Sequence, residues 1–146
     1  MKPLQENERS ISDSEWDVMR IIWTLKQASS TQVINELQTK KNWSESTIKT
    51  LLRRLVKKGL LSTKKDGRRF IYTATINQTD MIFEAANDLL NKMCDMHKGQ
   101  VLLKLLADSP ISKVDLKQLK SEIAEKEKTA PDKVPCNCLS NKNFMC

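Results

Sequence analysis

Three of the chain's four cysteines fall in its last eleven residues, as Cys136-Asn137-Cys138 and then Cys146. Thiolates are soft ligands that suit Cu(I) and Zn(II), and four of them complete a tetrahedral site. One tail supplies Cys136, Cys138 and Cys146, whereas two tails together supply two Cys136/Cys138 pairs. Two arrangements follow: a three-thiolate site including Cys146, or a four-thiolate site shared across a dimer. A reduced tail that holds no metal is the plain alternative. Cys94 falls inside a helical pattern and reads as a small buried apolar residue. His97, the only histidine, reads as lying at a helix end rather than on a metal.

A second chemistry is carried by charge. Ten basic and two acidic residues lie between Lys41 and Thr75, a local net of +8 in a chain whose total is +7. A solvated helix face would mix acids with its bases, so this clustering points to polyphosphate. Within it, Ser44 to Lys58 has helical spacing. Ile48, Leu51, Leu52, Leu55 and Val56 fall on one side, and Ser46, Thr47, Lys49, Thr50, Arg53, Arg54 and Lys57 on the other. Short hydroxyls followed by arginines suit a helix that meets base edges and phosphates in a major groove. Ser46, Thr47, Lys49, Thr50 and Arg54 are the candidates for the groove. Ser44, at the helix start, is placed for a phosphate. Arg54 could pair with guanine in a bidentate contact worth roughly 1–3 kcal/mol of discrimination.

The elements that must position these groups can be read from caps and periodicity. Ser12-Asp13-Ser14-Glu15 has the form of a capping box, and Trp16, Met19, Ile22 and Trp23 give the apolar stripe of a helix over about 13–26. Trp16, Trp23 and Trp43 read as core. Ala28-Ser29-Ser30 is a short break, with Ser29 or Ser30 capping a helix at about 30–40. Gly59 ends the basic helix, and Lys57 and Lys58 suit the negative end of its dipole. Two strand-like runs, 60–65 and 68–75, flank Asp66-Gly67, a hairpin dipeptide that would carry Lys64, Lys65, Arg68 and Arg69 at its tip. Arg68 and Arg69 would then touch backbone or minor groove.

The expected fold is mainly α with a small β-hairpin: a winged helix-turn-helix plus a helical C-terminal dimerisation region. The divisions are a flexible N-terminus at 1–10, the winged helix at 11–76, the helical region at 77–128 and a metal-binding tail at 129–146. The helical region holds a long helix at about 78–96, a shorter one ended by Ser109-Pro110, and a last one capped at Ser112.

Several classes are excluded. There is no apolar run near the ~18 residues needed to span a bilayer, and the N-terminus lacks the apolar stretch of a signal peptide, so a cytoplasmic protein without a membrane partner is expected. One histidine, three glycines, no phosphate-cradling Gly-rich loop and no His-Glu-x-x-His argue against an enzyme. A metal store built on the tail alone would leave the basic helix without a purpose.

Ile11-Ser12-Asp13-Ser14-Glu15-Trp16-Asp17-Val18-Met19 with Ile22-Trp23 resembles the opening of the penicillinase-repressor family, the BlaI, MecI and CopY type. So do Trp43-Ser44 with Thr47-Ile48-Lys49-Thr50-Leu51-Leu52, and Arg54-Leu55-Val56-Lys57-Lys58-Gly59. The likeness covers about residues 11–76 closely and the later helices in architecture. It implies a homodimeric repressor on a dyad-symmetric operator in double-stranded DNA, with the C-terminal helices as the dimer contact. The tail resembles the copper-responsive CopY branch, whose members typically end in Cys-x-Cys-x4-Cys-x-Cys. The first pair matches, but Cys146 alone stands where the second pair would be, so a four-thiolate site within one chain does not carry over. That branch implies Cu(I) and/or Zn(II) on thiolates, release by Cu(I), and a copper-delivering protein as a further partner. The alternative is the beta-lactam branch, whose repressors lack the terminal Cys-x-Cys and are inactivated by proteolysis.

Overall fold

The structure, a computed structural model, describes residues 10–140 and Cys146. The expectation of a flexible N-terminus falls, Ser10 apart, outside the described residues. The chain divides into two compact units, Met1–Phe83 and Glu84–Cys146.

In the first unit, α1 spans Asp13–Leu25 and starts at Ser12, whose hydroxyl oxygen accepts the Glu15 N–H at 3.2 Å. Only half of the expected capping box forms. The Glu15 side chain, 4% exposed, accepts the Ser12 hydroxyl at 3.1 Å and turns otherwise to Lys58. α2, Ser30–Lys40, carries the full box: Ser29 Oγ accepts from Gln32 N–H at 3.2 Å while Gln32 Oε1 accepts from Ser29 N–H at 2.9 Å. α3, Glu45–Lys57, begins at Ser44 and stops at Gly59, whose φ of +77° suits a residue without Cβ. Leu60 N–H reaches Leu55 O and Gly59 N–H reaches Val56 O, both at 3.0 Å, which is the Schellman arrangement.

These three helices bury Val18, Met19, Ile22, Val33, Leu37, Ile48, Leu52 and Leu55 as one core. The stripes are spaced three and four apart, so each helix can turn one face inward. Trp23 is buried, and Trp16 and Trp43 pack against the core half-buried. The Trp23 indole N–H donates to the Ile76 carbonyl at 3.0 Å, tying α1 to the chain that leaves the sheet.

The expected hairpin forms as β2, Leu61–Asp66, and β3, Arg69–Ala74, but it belongs to a three-stranded antiparallel sheet of order β1-β3-β2. β1 is Gln27–Ser29, read from sequence as a break, and pairs Ala28 with Tyr72. Three residues are too few to show alternation, and the partner that makes them a strand lies about forty residues on. The turn also shifts by one. Asp66 pairs with Arg69, leaving Gly67-Arg68 as the loop, with Gly67 at φ +63° in the first central position as a type II′ turn requires.

Helix α4 spans Gln78–Leu90, shorter than the expected 78–96. Its end tightens: Lys92 N–H bonds Leu89 O and Met93 N–H bonds Leu90 O, three residues back rather than four. In the second unit a 3₁₀ turn at Asp95–His97 leads into α5, Lys98–Asp108, and α6 follows over Lys113–Glu127. Among the described residues, neither α5 nor α6 has a fully buried side chain. No helix among the described residues is long and apolar enough to cross a membrane.

Candidate nucleic-acid interface and candidate metal centre

The outer side of α3 can be placed by geometry. At about 100° per residue, Ser46, Thr50, Arg53 and Lys57 lie within about 30° of the direction opposite the buried stripe. Lys49 and Arg54 flank that line by about 70° on either side, and Thr47 lies farther round. Thr50 is half-buried, while Ser46, Thr47, Lys49, Arg53, Arg54 and Lys57 are exposed. Arg53, absent from the groove candidates drawn from sequence, is thus more central than Arg54. The signal that finds it is the angular position relative to the leucines, not residue type.

Several of these groups already have partners. Ser44 Oγ accepts the Thr47 N–H at 3.2 Å and lies 2.9 Å from Thr47 Oγ1. The capping hydroxyl is therefore engaged, and the open donors of the first turn are the Glu45 and Ser46 backbone N–H groups. The Thr50 hydroxyl donates to Ser46 O at 2.9 Å, which leaves it as an acceptor. Lys49 pairs with Glu45 at 2.8 Å, an exposed contact that a phosphate can displace at little cost.

Lys58 belongs to a different set. Its Nζ donates to both Glu15 carboxylate oxygens, at 2.9 and 2.7 Å, and to Ser10 O at 2.8 Å. By sequence it suits the negative end of the helix dipole. The structure makes it a clamp between the start of α1 and the end of α3.

The wing exposes Lys64, Lys65, Arg68 and Arg69 to solvent, with Arg68 in the loop and Arg69 opening β3. Tyr72, on β3, links wing and helix. Burial raises its phenol above the ordinary range, while the cations of Arg53 and Lys49 draw it back.

The cysteines converge in the second unit. Cys136, Cys138 and Cys146 come together, and the sulfur of Cys94 joins them, with all four ligand atoms within 4.8 Å of one another. Cys94 is buried, as expected, but it lies outside α4, in the segment that caps the 3₁₀ turn. Sequence could not bring it to the tail, because 42 residues separate it from Cys136 and no local spacing reports that fold. Cys146 Sγ lies 3.5 Å from Cys136 Sγ and 3.8 Å from Cys138 Sγ. Four sulfurs about 2.3 Å from a tetrahedral zinc are about 3.8 Å apart, so the cluster has the size of such a site. These four residues could hold a metal ion.

The thiols also share protons unequally. Cys94 is pulled down to about 6, chiefly by the hydrogen bond from Cys146, against its burial and with help from the Met96 and Asn137 backbones. Cys146 is pushed up, first by Cys94 and then by Cys136, and Cys138 is raised mainly by Cys94. His97 closes the 3₁₀ turn, at a helix end as read from sequence, and its Nε2 lies 3.6 Å from Cys146 Sγ. Asn137 Oδ1 accepts the Asp95 N–H at 3.0 Å, fixing the middle of Cys-x-Cys to that turn.

Comparison with known proteins bears on the chain's family. The family described as Penicillinase repressor matches residues 11–125. A protein of Latilactobacillus sakei, described as an uncharacterized 16.5 kDa protein in the ptsI 3′ region, is 48% identical over 95% of this chain and 95% of its own. The methicillin resistance regulatory protein MecI of Staphylococcus aureus (strain N315) is 34% identical over 80% of this chain and 94% of its own. A solved structure of Bacillus licheniformis BlaI, described as the monomeric form in complex with the blaP half-operator, is 45% identical over 49% of this chain and 87% of that one, with a TM-score of 0.44. A family match across residues 11–125, with relatives this similar over most of both chains, means that this chain belongs to the penicillinase-repressor family, its Cys136–Cys146 tail lying beyond the matched stretch.

Proposed function

We propose that this chain is a metal-responsive repressor that binds a dyad-symmetric operator as a homodimer and is released by Cu(I), in control of copper-homeostasis genes. Membership of its family makes it a transcriptional repressor with a DNA-binding domain. The observation that carries the reading is the outer side of α3, cationic and hydroxyl-bearing with Glu45 as its only acid, beside an exposed basic wing. Ser46, Thr47, Lys49, Thr50 and Arg54, with Arg53, enter the groove. Ser44 and the first-turn N–H groups hold a phosphate, and Arg68 and Arg69 grip the backbone or minor groove.

Dimerisation is supported by the helices of the second unit. Helices of the length of α5 and α6 are marginal alone, and among the described residues neither has a fully buried side chain, while Leu102, Leu103, Leu105, Val114 and Ile123 are all at least half exposed. A second copy supplies the missing surface, and its two-fold symmetry matches two half-sites.

Copper control is supported by the soft donor set of Cys136, Cys138 and Cys146, drawn together with Cys94. Zn(II), or no metal, leaves a dimer competent for DNA; Cu(I), handed over by a copper-delivering protein, biases it against the operator spacing. By linkage, operator must weaken Cu(I) binding by the same factor. The second reading, a repressor of beta-lactam resistance genes inactivated by proteolysis, is favoured by the likeness to MecI, a methicillin resistance regulatory protein.

Operator affinity, measured on the chain's own upstream DNA with and without Cu(I), tests the proposal. Affinity should fall with Cu(I) in the unaltered chain and stay constant in Cys136→Ser and Cys138→Ser. The same response in the variants, or none in the unaltered chain, overturns it. Induction by a beta-lactam but not by copper would establish the second reading.

A further inference from the structure

We propose that Cys94 is the fourth ligand of a closed thiolate site contained within each protomer, so that the metal clamps the tail onto the junction between α4 and α5. This rests on the reading of the tail as a metal site, and it replaces both arrangements open to the sequence, the three-thiolate site and the site shared between chains.

Three observations support it. The Cys94 sulfur lies with the three tail sulfurs in a cluster 4.8 Å across at most, near the spacing a tetrahedral ion imposes. Cys94 has extended backbone, φ −61° and ψ 134°, and caps a 3₁₀ turn rather than sitting in a helix stripe, so it is presented by a bend. The tail is also held by a contact that involves no sulfur, Asn137 Oδ1 to the Asp95 N–H at 3.0 Å. That bond pairs the residue after Cys94 with the residue between Cys136 and Cys138, and it orients both arms of the site before any ion arrives. Hydrogen bonds of this kind, behind the ligating atoms, orient the groups that hold a metal. Loading the site binds Cys94, Cys136, Cys138 and Cys146 together, and releasing the ion leaves the Asn137 bond to hold Cys136-Asn137-Cys138 to the turn. Metal occupancy thus fixes the segment that joins α4 to α5, one of the helices whose apolar residues lie uncovered within the chain.

Co(II) is the probe, because the intensity of its thiolate charge-transfer band rises with the number of sulfurs bound. The full-length chain should bind one Co(II) per protomer as a tetrahedral four-thiolate complex. Cys94→Ser should lower the band per bound ion by about a quarter, four sulfurs becoming three, and weaken binding beyond the roughly 100-fold that outer-shell partners carry. Cys94→Ala, checked for operator binding without metal, serves where the serine variant fails to fold. Mixing Cys94→Ser chains with Cys136→Ser/Cys138→Ser chains should restore no four-thiolate band. An unchanged band in both Cys94 variants, or restoration on mixing, overturns the inference and leaves the tail as a metal site. No thiolate band in the unaltered chain overturns the metal reading itself, and the inference with it.

Discussion

Removing the Lys58 ammonium should unfold the first unit at a much lower temperature. Glu15 is 4% exposed, and its carboxylate is held by Lys58 Nζ at 2.9 and 2.7 Å and by the Ser12 hydroxyl at 3.1 Å. Lys58→Met leaves a buried charge with one hydroxyl for company. Breaking a buried pair in this way costs about 3–5 kcal/mol, and because the Lys58 side chain keeps 23% of its exposure the lower figure applies. About 3 kcal/mol in a domain of this size lowers Tm by roughly 12–24 °C. Trp16, Trp23 and Trp43 all lie in this unit, so tryptophan fluorescence on heating follows it selectively. Glu15→Gln combined with Lys58→Met should recover most of the loss, since a buried ion pair is replaceable by neutral groups of similar shape. A cost below about 1 kcal/mol for Lys58→Met, the value of an exposed pair, would refute the clamp between α1 and α3.

Other consequences are smaller. Gly59→Ala meets nothing within 4 Å but imposes a side chain at φ +77°, so it should cost about 1–2 kcal/mol by denaturant titration; no loss would mean that the helix end does not need the left-handed residue. Arg68→Ala and Arg69→Ala should each make the slope of log K against log salt shallower by about 1 on both target and random duplexes. An unchanged slope would remove the wing from the phosphate contacts.

Much of the first unit was legible because its signals are local. Ser12 with Glu15, the Ser29-Ser30 pair and Ser44 mark three helix starts by residue type, and the hydroxyls of Ser12, Ser29 and Ser44 cap α1, α2 and α3. Gly59 and Gly67 sit where the chain takes positive φ, so the end of α3 and the hairpin were marked by residue type. What was missed depended on distant partners. β1 exists because β3 lies beside it, and Glu15 turns to Lys58 because α1 and α3 cross. Met93 and Met96 continue the spacing of α4 although the helix stops at Leu90, since no glycine or proline marks the stop. Cys94 carries the same lesson for the metal centre, because a helical stripe can describe a residue that tertiary structure assigns elsewhere. Arg53 was missed for a geometric reason, being nearer the antipode of the leucines than Arg54.

The central claim, that α3 reads a duplex, is tested most directly by anisotropy titrations of Arg54→Ala and Lys49→Ala. The chain's own upstream DNA and a scrambled duplex are compared at one salt concentration. Arg54→Ala should raise Kd for the target by roughly 5- to 150-fold while changing the scrambled duplex far less, as loss of a base-edge contact requires. Lys49→Ala should weaken both duplexes together if it holds phosphate, or the target preferentially if it reaches a base. Unaltered binding of both duplexes by both variants and by Arg53→Ala would contradict the assignment of α3 as the reading element.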